Sequence, residues 1–252
     1  MNIKWDAEKY STDFSFVHHY GKGLIDLIDA EKNSRVLALG CGNGALSKAL
    51  QDRGYRVKGM DASEELLSIA RKNYPDIEFV KGDARHFDCS EPYDLVFSNA
   101  VFHWIDKESQ PDMLQCIRNA LKKDGELLFE FGGCGNNQKI HGALERAFSA
   151  YGYRYQMPFY FPSVSEYATL LEQNGFRVRY ALLFDRPTAL KGENGLKDWI
   201  EIFVKSPFSM VRSKEEKEAI IDKAAEDLRD ELYREGTWYA DYVRLRMKAF
   251  RL

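Results

Sequence analysis

The 252-residue sequence has only four cysteines, Cys41, Cys89, Cys116 and Cys134, and no two form a Cys-x-x-Cys pair. That spacing gives no zinc knuckle or dithiol redox motif and points to a reducing, cytoplasmic setting. Long apolar runs are missing, and Met1 to Lys9 alternate charged and apolar side chains, so neither a membrane span nor a secretory leader is expected. A strong charge of one sign is missing too. The formal net charge of -3 supplies no cationic field, so nucleic acid and membrane are not expected partners. The five histidines fall in no ligand spacing with Cys, Asp or Glu, and no metal site is expected. What is present is ordinary: 44% hydrophobic and 30% charged residues can bury a core without staples. A small-molecule partner is the expectation that survives.

The pattern along the chain is mostly an alternation of strand and helix. After an aromatic start with Trp5, Tyr10, Phe14, Phe16 and Tyr20, Gly23 to Ala30 reads as an amphipathic helix. Strands are expected at Val36 to Leu39, Tyr55 to Met60, Ile77 to Val80, Tyr93 to Ser98 and Glu126 to Phe131. Helices are expected at Ala45 to Arg53, Ser63 to Asn73 and Pro111 to Leu121, with Lys123-Asp124-Gly125 as a turn. Such alternation argues for a parallel sheet. Beyond it, Lys139 to Tyr151 and Ser165 to Asn174 read as helices, Phe176 to Phe184 as a sixth strand and Trp238 to Leu252 as a late strand. The charged stretch from Gly192 to Gly236, with helices at Leu196 to Val204 and Ser213 to Arg234, reads as an inserted cap. The division expected is a lid segment at 1–33, a core at 34–191, a helical cap at 192–236 and a returning strand at 237–252.

The chemistry gathers at the ends of the expected strands. Gly40-Cys41-Gly42-Asn43-Gly44-Ala45 joins strand to helix, where glycines let a backbone approach a nucleotide cofactor. Taken alone it also satisfies the glycine pattern of NAD-binding domains. Asp61, beside Ala62, ends the second strand, where a carboxylate accepts ribose hydroxyls; it is equally suited to the start of the Ser63 helix. Asp83 follows the third strand with Ala84, and acidic turn residues are common. Asn99, Ala100, His103 and Trp104 close the fourth strand, at the crevice where such sheets bind ligands.

These four elements, in this order, resemble the class I S-adenosylmethionine-dependent methyltransferases, over about Trp5 to Phe184. The resemblance implies a doubly wound, mostly parallel seven-stranded α/β sheet with a late antiparallel strand and a helical insertion. It implies S-adenosylmethionine as cofactor, with Gly40, Cys41, Gly42 and Gly44 at its methionine part, Asp61 and Ala62 at the ribose, and Asp83 and Ala84 at adenine. Asn99, Ala100 and Trp104 complete the cofactor set. Ser98-Asn99-Ala100, His103-Trp104 and Glu130-Phe131-Gly132-Gly133 are similar to the bacterial small-molecule branch that includes trans-aconitate methyltransferase. The chain departs from the family at Ala38, where an acid usually helps position the loop.

Methyl transfer from a sulfonium is an in-line displacement and needs no enzyme nucleophile. A carboxylate acceptor needs no general base, whereas an alcohol or phenol usually does; His103 is the candidate base, and structural packing beside Trp104 explains it equally well. Candidate acceptor contacts are Trp5, Tyr10, His18, the amides of the Gly133 loop and the Arg186 guanidinium. Two rival readings stand beside methyl transfer. An NAD(P)-dependent oxidoreductase shares the glycine loop, although no lysine has a tyrosine four residues before it to form the common proton relay. A noncatalytic cofactor-binding regulatory protein is the other, motivated by Ala38.

Overall fold

The structure is a computed structural model and describes residue 21 and residues 23–252; Trp5, Tyr10 and His18 lie outside the described residues. The first half runs β1 (Arg35–Leu39), α1 (Ala45–Asp52), β2 (Arg56–Asp61), α2 (Glu64–Asn73), β3 (Glu78–Lys81), β4 (Tyr93–Asn99), α3 (Gln110–Ala120) and β5 (Leu121–Gly132). These five strands pair in parallel in the order β3-β2-β1-β4-β5. Val36, Leu37, Ala38 and Leu39 are all buried, the continuous apolar run of a strand covered on both faces. Strand order reverses between β1 and β4, which opens a crevice at their carboxyl ends. The Ser63 side chain caps α2 by accepting the Leu66 N–H, and Glu64 and Glu65 occupy its first turn.

The second half adds α4 (Gln138–Ala150), α5 (Val164–Gln173), β6 (Phe176–Leu190), α6 (Gly195–Phe203), α7 (Lys214–Leu232), β7 (Tyr233–Arg234) and β8 (Thr237–Arg251). β8 is antiparallel and lies between β5 and β6, so the late strand completes a doubly wound, mostly parallel sheet. The two-residue β7 pairs with the start of β8 and brings the strand count among the described residues from seven to eight.

Three expectations change. The helix expected over 23–30 is helical only through residue 25 among the described residues, followed by a turn. Glu126 Oε2 accepts the N–H groups of Asp29 at 3.0 Å and Ala30 at 3.2 Å, which draws that backbone out of the helix. β6 extends beyond Phe184 to Leu190 because β8 continues to pair with it through Leu190 and Trp238. The Asp124 turn, at φ 58, falls inside the bounds of β5, and regular pairing with β4 resumes at Leu95 and Glu126.

One apolar layer packs α1 and α2 on the sheet through Leu50, Leu67 and Ala70, and Ala38 belongs to it. The opposite layer packs α3 and α5 through Met113, Ile117 and Tyr167. A third joins α4, α6 and α7 to the start of β8 through Phe148, Trp199, Leu228 and Trp238.

Gly44 has φ +83, and a Cβ there would stand 2.8 Å from Phe79 and 2.9 Å from Tyr74. Its lack of a side chain permits both the left-handed backbone and the close approach of α1 to that layer. Gly42 has φ +56 and open space at the same point. Gly44→Ala therefore adds overpacking of about 1–3 kcal/mol to a left-handed backbone cost of about 1–2 kcal/mol, whereas Gly42→Ala carries the backbone cost alone. Urea unfolding should lower the midpoint distinctly more for Gly44→Ala.

Candidate functional site

The crevice holds a cavity of about 470 Å³ at the ends of β1 to β4. A larger groove of about 920 Å³ runs past Arg35, Lys58, Glu78 and Tyr93, but it contains no glycine-loop residue and is lined largely by charged side chains. The chemistry belongs to the smaller cavity, because the glycine loop, both strand-end acids and the β4 end converge there.

Gly40 and Gly42 line the cavity. The loop is pinned at its base by the Gly40 and Cys41 N–H groups, which donate to the Met60 carbonyl at 2.7 and 3.0 Å. A Cβ on Gly40 would stand 2.2 Å from Val101, so only glycine lets this loop close on the β4 end. Cys41 and Gly44 do not line the cavity. The Cys41 thiol is buried facing Gly59, where burial and the Asp61 charge push its pKa up, and Gly44 serves helix packing.

Asp61, with Ala62 and Ser63 beside it, forms the next part of the wall. Its Oδ2 accepts the Gly42 N–H at 2.8 Å and its Oδ1 the Ser63 N–H at 2.9 Å. Burial raises its pKa, and the backbone bonds from Ser63, Gly42 and Ala62 oppose that rise. The Asp61 carbonyl accepts the Gly82 N–H at 3.0 Å, which brings the β3 end alongside. There Asp83 and Ala84 face the cavity, and Arg85 pairs with both Asp83 oxygens. Those bonds hold the Asp83 carboxyl at about 2.

Asn99, Ala100 and Trp104 supply the β4 wall. Ala100 has φ 61, and its N–H donates to the Glu130 carbonyl at 2.7 Å, so β5 fixes this bend. The short 3-10 turn Phe102–Trp104 then presents Trp104, whose ring lies 4.7 Å from Phe159 and 6.3 Å from Phe203 of α6. The helical segment thus reaches the cavity wall.

The acceptor-side candidates are placed differently. His103 is buried and does not line the cavity; its Nδ1 accepts the Gly132 N–H at 3.2 Å. Nε2 then carries the ring proton. Burial, and secondarily the Arg244 charge, lower the His103 pKa well below its ordinary value near 6.5. The geometry therefore makes a neutral donor of the candidate base. The Gly133 loop is no anion cradle, because the N–H groups of Gly133, Cys134, Asn136 and Asn137 donate to the carbonyls of Val243, Pro162, Gly133 and Asp241. Arg186 is bound through two nitrogens to buried Glu130, which Arg246 also contacts at 2.7 Å, and it does not line the cavity. Among the described residues no cluster of three His, Cys, Asp or Glu is placed to hold a metal ion. No described helix is long and apolar enough to cross a membrane.

Sequence reasoning missed Arg85 and Asp106 on the cavity wall, Arg244 beside His103, and His141, whose Nδ1 meets the Tyr155 hydroxyl at 2.6 Å. Arg85 stands two residues after Asp83, a spacing the sequence does display. Arg244 depends on strand register, since it faces Gly132 across β8.

The doubly wound sheet gathers a glycine loop, an acid after β2 and an acid after β3 at the crevice where such sheets bind ligands, and known proteins resemble the chain that carries them. A family described as "Methyltransferase domain" matches residues 36–125. An uncharacterized methyltransferase of Schizosaccharomyces pombe is 28% identical over 97% of each chain. A trans-aconitate 2-methyltransferase of Mycolicibacterium gilvum is 32% identical over 51% of this chain and 50% of its own length, so that match spans about half of the relative. Among solved structures, a TehB-like S-adenosylmethionine-dependent methyltransferase from Corynebacterium glutamicum shares the fold, with a TM-score of 0.57 and 18% identity over 98% of each chain. The chain is similar to class I S-adenosylmethionine-dependent methyltransferases, including relatives from the small-molecule branch, and these likenesses support a methyltransferase enzyme. S-adenosylmethionine is its cofactor, and the dinucleotide reading of the glycine loop is set aside.

The placement of His103 has a direct spectroscopic consequence. Its 15N shifts should report the Nε2–H tautomer, and the ring should stay neutral as pH falls through 6.5, taking up its proton only well below that value. A titration midpoint at or above 6.5 would contradict the hydrogen-bonded placement.

Proposed function

We propose that the methyl acceptor is a small carboxylic acid and that the product is its methyl ester. The observation that carries this reading is the engagement of His103 Nδ1 by the Gly132 amide. A ring so bound and buried presents no basic nitrogen to an acceptor. An alcohol or phenol has to lose a proton during transfer, whereas a carboxylate is already ionised at neutral pH. The Arg244 guanidinium near His103 favours an anion on that side. The trans-aconitate relative, whose name specifies an acid, supports the same choice. The four free cysteines favour a cytoplasmic setting.

In this reading Gly40 and Gly42 accommodate the methionine part, Asp61 accepts from the ribose hydroxyls, Asp83 accepts from the adenine amino group, and Asn99, Ala100 and Trp104 form the remaining wall. The cavity volume and the open space at Gly42 suit a nucleoside of that size. S-adenosylmethionine supplies an electrophilic methyl group on a sulfonium. The protein's part is to align the acceptor oxygen behind that methyl group and to exclude water, for which Trp104, Phe159 and Phe203 provide an aromatic rim. The segment at 192–236, which carries Phe203, serves as a lid over the acceptor.

Labelled methyl transfer should be assayed against di- and tricarboxylic acids, phenols and amines. The expected product carries base-labile methyl label on an acid; transfer only to a phenol or amine, with a base-stable label, would remove the carboxylate reading. Asp61→Asn should weaken S-adenosylhomocysteine binding by about 1.5–3 kcal/mol for each charge-assisted hydrogen bond lost. The ionised form binds hydroxyl donors, so affinity is complete above the folded-state Asp61 pKa and falls as pH drops through it. Because that pKa is raised above 3.8, calorimetry should find the loss beginning at a higher pH than an ordinary carboxylate gives.

A further inference from the structure

Asp83 and Arg85 both face the cofactor cavity. Arg85 Nε lies 2.9 Å from Oδ1 and 3.2 Å from Oδ2 of Asp83, Nη2 lies 2.5 Å from Oδ2, and the Arg85 main-chain N–H donates to Oδ1 at 3.0 Å. An ionised carboxylate has about four lone-pair positions. Oδ1 spends two on the main-chain N–H and Nε. Oδ2 takes Nη2 directly and shares the Nε proton only as the longer branch of a bifurcated bond, so its second lone pair is the acceptor position least engaged by Arg85. The arginine is itself held: its carbonyl lies 3.3 Å from the Cys116 thiol, which donates to it, and the Asp106 carboxylate, also on the cavity wall, adds a favourable charge.

An exposed ion pair two residues apart is ordinarily worth little. This one differs because it fixes both oxygens of a carboxylate that faces a ligand cavity. We infer that Arg85 is a specificity-determining residue of the cofactor site: by pinning Asp83 it leaves one fixed acceptor, which selects a nucleobase with an exocyclic amino group over one with a carbonyl there. The inference rests on the reading that Asp83 meets the adenine base. Hypoxanthine would turn a carbonyl lone pair toward the remaining lone pair of Oδ2. Without Arg85 the carboxylate can rotate away or admit a water, and the penalty against the carbonyl is relieved. Lysine is a poor replacement, because an ammonium cannot supply two parallel N–H donors.

The test is the calorimetric Kd of S-adenosylhomocysteine and S-inosylhomocysteine for the wild type, Arg85→Ala, Arg85→Lys and Asp83→Asn, with each Tm recorded. The wild type should favour the adenosyl compound by roughly tenfold or more, the scale of one charge-assisted hydrogen bond. Arg85→Ala should cut that ratio by about fivefold or more at unchanged Tm, and Arg85→Lys should restore only part of it. An unchanged ratio in Arg85→Ala, or an equal loss of both ligands, overturns the proposal. Should Arg85→Ala fold poorly, Arg85→Gln gives the same readout. Asp83→Asn separates the two levels of the argument: a ratio that survives there removes the Asp83 reading itself, while a ratio lost there but intact in Arg85→Ala overturns only the role of Arg85.

Discussion

The Asp61 carboxylate holds the site together. A loop with left-handed residues at Gly40, Gly42 and Gly44 has no regular hydrogen-bond ladder of its own. Asp61 supplies an anchor from the neighbouring strand, taking the Gly42 amide with one oxygen and the Ser63 amide with the other. The same side chain therefore sets the loop and the start of α2. Burial works against its charge while the amides favour it. Hydroxyl donors from a nucleoside would add to the amide side of that balance.

A second constraint fixes the other wall. Glu130 is buried on β5, where Arg246 is its direct partner across β8 and Arg186 reaches it from β6. Breaking such a pair would leave an uncompensated buried charge, which makes the arrangement intolerant of a slip in strand register. The Glu130 carbonyl also holds the Ala100 amide, so the register of three strands is transmitted to the bend that carries Asn99 and Trp104. This wall of the cavity is thus positioned from the antiparallel half of the sheet.

The parallel half was legible in the sequence because its signals are local. The apolar runs of the first three strands lead into a glycine or an acid, and Gly40, Asp61 and Asp83 sit at strand ends where the cavity forms. The antiparallel half was less legible. The length of β6 depends on pairing with β8, and the early end of the helical turn at residue 25 depends on Glu126, distant in sequence. Gly133 and Arg186 looked available for a ligand because their partners, Val243 and Glu130, lie on other strands. His103 is conspicuous in the sequence, but the Gly132 amide that sets its tautomer could not be seen from the residues around it.

The insertion of β8 between β5 and β6 bears on how the chain is made. Both neighbours are synthesised earlier, and among the described residues β6 has no other strand beside it on the path of the sheet. While a ribosome is still translating α6 and α7, the facing edges of β5 and β6 remain open, and the carboxylate of Glu130 lacks the guanidinium of Arg246. Parallel strands β1 to β5 have all emerged by then. A nascent chain whose first five strands pair before β8 is made would expose an unpaired β5 edge, the kind of edge that invites chaperone capture or misassembly between chains.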